Sequence, residues 1–294
     1  MIDNKCKSCE MPVVTRQAKC SVWSDFLNDK IVYDFCESCG HASIPQNFHD
    51  YATTEYFSES GVSYSKINRV GDERIPGREY YMGCLAIEAM FEAGMSCKNI
   101  LIFGAGQSMD HKHLKKEYSE IDVKITDLKN FQQHENFIDI TSASKFDVVI
   151  ACEVIEHFLT PKEDFVLLLS KLNPKGLLIC STDIRKSHAD NISKTTYPFM
   201  LGHTSYYTGK SLIGIIKFIS DDYIIDFRAP EKLGTNKRYV LISKDNNCIQ
   251  GVACYFSKFK YAPCEPSGKS LNPRKWANRL NRLLSKYFNL KGGL

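Results

Sequence analysis

No apolar run in this sequence approaches the roughly 20 residues that a membrane-spanning helix needs, so a helical membrane protein is not expected. The opening Met-Ile-Asp-Asn-Lys-Cys has no apolar h-region. No secretory signal is therefore visible, and the expected location is the cytoplasm. Internal repeats and low-complexity blocks are also missing. Acid is missing from one place: residues 267–294 hold seven Lys or Arg and no Asp or Glu, so with a net charge of +4 the other 266 residues sum to 4 − 7 = −3. The body is near neutral and no basic-aromatic stripe crosses it, which argues against a nucleic-acid partner. What is present is ordinary for a globular protein: 43% apolar and 24% charged residues. With 294 residues the chain can bury a large core, as one domain or as one domain with a small appendage.

Cysteine is not scarce. Of twelve Cys, four form two C-x-x-C pairs, Cys6 with Cys9 and Cys36 with Cys39, and most others stand singly in apolar stretches. Each pair presents two thiolates on one tight turn, and two such turns complete a tetrahedral four-sulfur shell. The spacing predicts a zinc ribbon over residues 1–50, with Gly40 easing the second turn. Four protein ligands close the shell, so the metal would be structural. Two disulfides or free thiols are the alternative. Cys20 and His41 are substitutes for one ligand.

The chain is organised around Asn99 to Asp110. An apolar run, Ile100 to Phe103, stops at Gly104, and Gly106 follows. This is the pattern of a buried strand, a glycine turn and a helix start. Asp127 ends the next apolar run, Ile121 to Thr126, where an acid can hold ribose hydroxyls. Strands are predicted at 121–126, 136–138, 146–152, 177–182, 222–228 and 237–243, and helices at 79–94, 108–118, 161–172 and 209–219, the last capped by Thr208. Pro161 suits a first helical turn, and Pro174-Lys-Gly176 reads as a turn. Strands alternating with helices predict an α/β layer with a largely parallel sheet of about seven strands, the last pair antiparallel. The domains expected are a ribbon at 1–50, a linker or cap at 51–78, a nucleotide-binding domain at 79–245 and an extension at 246–294. Tyr51, Tyr56, Phe57 and Tyr64 could cap a pocket or pack on the next domain. Within the extension, Trp276, Leu280, Leu283, Leu284 and Tyr287 recur at helical spacing. They predict a basic amphipathic helix over 273–288 for a membrane surface, a protein partner or its own domain.

The turn Gly104-Ala-Gly106, Asp127, Phe146-Asp-Val-Val-Ile and Glu153-Val-Ile-Glu-His157 together resemble class I S-adenosylmethionine-dependent methyltransferases. The ribbon, with Phe35-Cys-Glu-Ser-Cys-Gly and Thr54-Glu-Tyr-Phe57, resembles the zinc-binding domain that precedes the catalytic domain in sugar C-methyltransferases and relatives. The resemblance covers roughly residues 1–245. It implies a seven-stranded Rossmann-like sheet with S-adenosylmethionine at the carboxyl ends of the strands. By position, Gly104 and Gly106, with Gln107 on the same turn, would pass the methionine part of the cofactor. Asp127 would hold the ribose, Asp139 would approach the adenine, and Cys152 and Glu153 would line the methionine and acceptor side. The sequence departs from the family at Ile102, where an acid is usual, at Ser108, where a third glycine is usual, and at Met200-Leu-Gly-His203, where only the His matches.

The resemblance implies methyl transfer to a small polar acceptor, a hydroxyl or a carbon of a sugar or sugar nucleotide. His203 is the candidate general base, because imidazole titrates near neutrality and a neutral hydroxyl is a poor nucleophile. Tyr206 and Tyr207 could orient it or touch the acceptor. His157 competes for the role, or caps local backbone. A nicotinamide-dependent oxidoreductase also fits a Gly-x-Gly turn with Asp127, and a non-catalytic binding module is a third reading.

Overall fold

The computed structural model describes residues 5–19, 30–44, 71–128, 130, 133–185, 203–228 and 237–258. Cys20, the aromatics between Tyr51 and Tyr64, most of the 183–202 loop and the helix expected at 273–288 lie outside these residues.

The N-terminal segment forms a hairpin, β1 (Val14–Lys19) and β2 (Lys30–Phe35), with the short β3 (Ala42–Ser43) beside β2. The main body begins at α1 (Arg78–Glu92) and runs through β4 (Asn99–Phe103), α2 (Asp110–Glu117), β5 (Asp122–Thr126) and β6 (Phe146–Cys152). It continues with α3 (Pro161–Ser170), β7 (Leu172–Arg185), β8 (Ser205–Thr208) and α4 (Gly209–Ile219). The last described elements are β9 (Ile224–Arg228), β10 (Lys237–Ser243) and α5 (Asn246–Lys258).

Strands β5, β4, β6 and β7 pair in that order and in parallel. Strand β10 joins β7 antiparallel and β9 closes the edge antiparallel to β10. Ile100 and Ile102 pack into the layer under α1, α2 and α5, while Leu101 and Phe103 pack into the layer with α3 and α4. Burial on both faces is why β4 reads as an unbroken apolar run instead of an alternating one. The connection from β4 leads to β5 on one side, and the chain then returns to β6 on the other. That reversal makes a topological switch point at the carboxyl ends of β4 and β6, where open α/β sheets take ligands. Thr208 caps α4 as expected: its hydroxyl accepts from Ser211 N at 3.0 Å and the Ser211 hydroxyl accepts from Thr208 N at 2.9 Å.

Several sequence expectations are adjusted. Among the described residues, β5, β4, β6, β7, β10 and β9 form this layer, and the strand expected at 136–138 is reduced to one parallel bridge between Phe137 and Ile125. The chain turns away at once, held by the Asp139–Thr141 contacts described below. Strand β7 begins before the Pro174-Lys-Gly176 turn and absorbs it as an irregularity in its pairing with β6. Its last residues, Ile184 and Arg185, pair with β8, which in turn pairs antiparallel with β3. One continuous path of strands therefore links the cysteine-rich segment to the main sheet. Helix α5 was not anticipated and packs on α1: the Tyr255 hydroxyl donates to Glu88 at 3.0 Å and Cys248 Sγ lies 3.6 Å from Met90 Sδ. The packed body thus continues past residue 245. Among the described residues, no helix is long and apolar enough to cross a membrane.

Candidate functional site

The glycine turn after β4 is shaped by what surrounds it. Gly104 has φ +73°, and a Cβ there would lie 2.6 Å from a Val154 methyl carbon. Both conditions require glycine. The N–H groups of Gly104 and Ala105 donate to the Thr126 carbonyl at 2.9 and 3.2 Å, which ties the turn to the end of β5. Gly106, at φ +55°, donates its N–H to Asp127 Oδ2 at 2.7 Å, and Leu128 N donates to Oδ1 at 2.6 Å. Burial pushes the Asp127 carboxyl above the usual carboxylate range, against the pull of those two bonds. Gln107 is exposed on the next step of the turn. Asp139 is exposed too: Thr141 N and its hydroxyl donate to it at 2.7 and 2.5 Å and hold it below the usual range. Asp127 and Asp139 each lie two residues beyond a member of the Ile125–Phe137 bridge, so they leave adjacent strand ends together.

Strand β6 ends at buried Cys152, whose sulfur accepts from the Ser181 hydroxyl at 3.5 Å. Glu153 follows with φ +57°, a left-handed conformation that costs a non-glycine residue about 1–3 kcal/mol and concentrates at functional sites. Its N–H donates to the Ser181 carbonyl at 3.0 Å, its Oε1 accepts from the Ser181 hydroxyl at 2.8 Å, and Oε2 faces Arg78 Nη1 at 3.5 Å. Arg78 and Ser181 were not identified from the sequence. Each is distant along the chain from Glu153, and only packing of α1 and β7 against the end of β6 brings them together.

Glu156 sits in the 3-10 turn Ile155–His157 and is 4% exposed. Burial is the main cause of its rise to about 7; Asp183 adds to it, while the Thr182 hydroxyl and Arg78 oppose it. A carboxyl raised in the folded state contributes stability below its unfolded value, and that stability is lost as pH rises through the folded value. Glu156→Gln, which keeps the shape without the ionisation, should therefore raise the melting temperature relative to wild type at about pH 8 and be near neutral at about pH 5. Thermal melts of both proteins at the two pH values check this.

The two candidate bases meet. The rings of His157 and His203 stand edge to face with centroids 4.9 Å apart. The Tyr206 hydroxyl donates to the His203 carbonyl at 3.0 Å, so Tyr206 acts on the backbone of His203. Tyr207 is fully buried, with its hydroxyl on the Ile155 carbonyl at 2.8 Å, and belongs to the core. The segment carrying His203 is closely held: Thr204 N donates to the Glu156 carbonyl at 2.9 Å, and the Thr204 and Ser205 hydroxyls both donate to the Phe158 carbonyl at 2.9 and 2.6 Å.

The four cysteines of the two pairs converge. Cys6 Sγ and Cys39 Sγ lie 3.6 Å apart, Cys9 Sγ and Cys36 Sγ 3.5 Å, and all four sulfurs fall within 4.8 Å of one another. These separations far exceed the roughly 2.05 Å of a disulfide. They match four sulfurs set at about 2.3 Å around one tetrahedral ion, which stand about 3.8 Å apart. The Cys39 thiol hydrogen bond, and then His41, hold the Cys6 sulfur well toward its thiolate form against the effect of burial. These four residues could hold one metal ion.

Residues 78–217 match a family model described as a methyltransferase domain. Among curated proteins, none matches this sequence. Among solved structures, the fold resembles the plantazolicin methyltransferase BpumL in complex with a triazolic desmethylPZN analog and SAH, at 14% identity over 67% of this chain and 94% of that one, with a TM-score of 0.47. It also resembles a 1,6-didemethyltoxoflavin-N1-methyltransferase of Burkholderia thailandensis (13% identity, 69% and 93% covered, TM-score 0.42). A third likeness is to an O-methyltransferase family protein of the same organism (12% identity, 66% and 60% covered, TM-score 0.43). These structural likenesses are distant, and the family match carries the assignment. On that match residues 78–217 are a methyltransferase domain.

Proposed function

We propose that the site at the carboxyl ends of β4, β5 and β6 binds S-adenosylmethionine and that the protein methylates a hydroxyl of a small polar acceptor, a sugar or sugar nucleotide. The observation that carries this is the coupling of the glycine turn to the strand-end acid, Gly106 N–H on Asp127 at 2.7 Å. The residues fit the cofactor: the turn offers backbone with no side chain in the way, and Asp127 has a carboxylate at the end of β5 for two ribose hydroxyls. The sugar assignment is supported by the likeness of the cysteine-rich segment to the domain found before the catalytic domain in sugar C-methyltransferases and relatives.

When bound, S-adenosylmethionine supplies a methyl carbon on a positively charged sulfur, which leaves as a neutral thioether. The protein's part is placement and proton removal. His203 would take the proton from the acceptor hydroxyl as that oxygen accepts the methyl group. Glu153, fixed by Ser181 and Arg78, lines the acceptor side. The four-cysteine cluster is proposed to hold one structural zinc.

Asp127→Ala should weaken binding of S-adenosylhomocysteine by about 1.5–3 kcal/mol, because a charge-assisted pair of hydrogen bonds to ribose is lost. Calorimetry on the two proteins measures it. Binding of a nicotinamide dinucleotide together with no binding of S-adenosylmethionine would overturn the cofactor assignment.

A further inference from the structure

Residues 71–78 lead into α1 and run from the start of α2 to the end of β6. On the α2 side Met109 N donates to the Gly71 carbonyl at 3.0 Å, His113 Nε2 donates to the Asp72 carbonyl at 2.7 Å, and Gly77 N donates to Asp110 Oδ1 at 2.6 Å. The next residue, Arg78, faces Glu153 at 3.5 Å. The segment thus bridges the two sides of the switch point, because Met109 and Asp110 continue the glycine turn after β4 and Glu153 follows β6. Its tight path requires glycine at 71, where a Cβ would lie 1.8 Å from Asp110 Oδ1 and 2.7 Å from Gly77 N. Between the docked ends, Asp72 Oδ1 accepts from Arg74 N and Ile75 N at 2.7 and 2.8 Å, and Ile75 is 68% exposed. The segment is therefore a preformed loop held on α2 by hydrogen bonds, and its release would uncover little of the core. Beneath it the Glu79 and Asp110 carboxyls hydrogen-bond each other.

A segment docked on the residues that continue a ligand-binding turn is coupled to the ligand. Whatever fixes Met109 and Asp110 in place favours docking, and docking favours the ligand by the same factor. We propose that residues 71–78 are an exchange strap: it closes across the switch point when a nucleoside occupies the glycine turn, and it lifts to let the nucleoside leave. This rests on the S-adenosylmethionine assignment above. Arg78 carries the closure to Glu153, so that cofactor occupancy also fixes the acceptor side.

The test uses the full chain with and without S-adenosylhomocysteine. With the ligand at about 100 times its Kd, hydrogen exchange read by mass spectrometry should slow about tenfold or more in peptides covering 71–78 and 108–113, the ceiling at that concentration being about a hundredfold. Gly71→Ala places a methyl group against Asp110, and His113→Ala removes the donor to Asp72. Each should speed exchange in the same peptides without ligand and release S-adenosylhomocysteine about tenfold faster in a chase with unlabelled ligand. His113→Ala leaves the path of the chain intact, and the wild-type comparison needs no variant. Bound S-adenosylhomocysteine with unchanged exchange in both peptides, or folded variants that release it at the wild-type rate, would overturn the strap while leaving the cofactor assignment standing. A wild-type protein that does not bind S-adenosylhomocysteine would overturn both.

Discussion

Replacing His203 with alanine is expected to lower turnover by about 10²–10⁴-fold while S-adenosylhomocysteine affinity stays nearly unchanged. That range is the usual worth of a positioned base. The split between turnover and affinity follows from geometry, because the glycine turn and Asp127 are built on β4 and β5, whereas His203 enters on the segment leading into β8. Two features qualify it for the role. Its backbone is pinned, since its carbonyl accepts from the Tyr206 hydroxyl and the next residue bonds to Glu156 and Phe158. Its ring also meets His157 edge to face at 4.9 Å, so the two candidate bases lie side by side. His157→Ala is therefore the necessary companion variant. If His203→Ala turns over at the wild-type rate with the true acceptor, from about pH 6 to 9, the proton is taken elsewhere and His157 is next.

The double substitution Cys36→Ser, Cys39→Ser is expected to abolish zinc binding, lower the melting temperature by about 10 °C or more, and reduce turnover together with stability. Loss of the metal should reach the methyltransferase domain because the cysteine turns are docked directly on it. The Thr208 hydroxyl donates to the Cys39 carbonyl at 2.6 Å, the Ser8 hydroxyl to the Ser211 carbonyl at 2.8 Å, Lys7 to the Leu159 carbonyl at 2.9 Å and Lys210 to the Ser38 carbonyl at 2.6 Å. Strand β3 pairs with β8 at Ser43–Ser205 and Ala42–Tyr206, and the His41 ring lies 5.5 Å from that of Tyr207. These contacts surround the start of α4 and the segment that presents His203. Nucleoside affinity should survive, since none of them touches the glycine turn or Asp127. Elemental analysis, thermal melts and turnover of the two proteins settle it. A wild-type protein without zinc, or a variant with unchanged melting and turnover, would remove the coupling.

Local pattern alone was enough for the elements that report on themselves. The apolar run Ile100–Phe103 stops at glycines, and the structure puts Gly104 and Gly106 at positive φ where the turn needs them. Two C-x-x-C pairs converge on one cluster, with all four sulfurs within 4.8 Å of one another. Thr208 with Ser211 writes its own helix cap within four residues. Asp127 follows from its place at the end of a strand.

The tertiary structure decided what depends on distant segments. Phe137 keeps only a bridge where a strand was expected, because the turn at Asp139–Thr141 draws the chain away from Ile125 after one pairing. Arg78 and Ser181 reach Glu153, and Glu79 reaches Asp110, across separations that no periodicity encodes. Helix α5 and strand β8 are stabilised by α1 and β3 respectively, so neither is legible without its partner. Short-range order is written in neighbouring residues through turn geometry and caps, whereas the acid pair behind the glycine turn and the link from the cysteine cluster to His203 exist only once the core has closed and set the elements side by side.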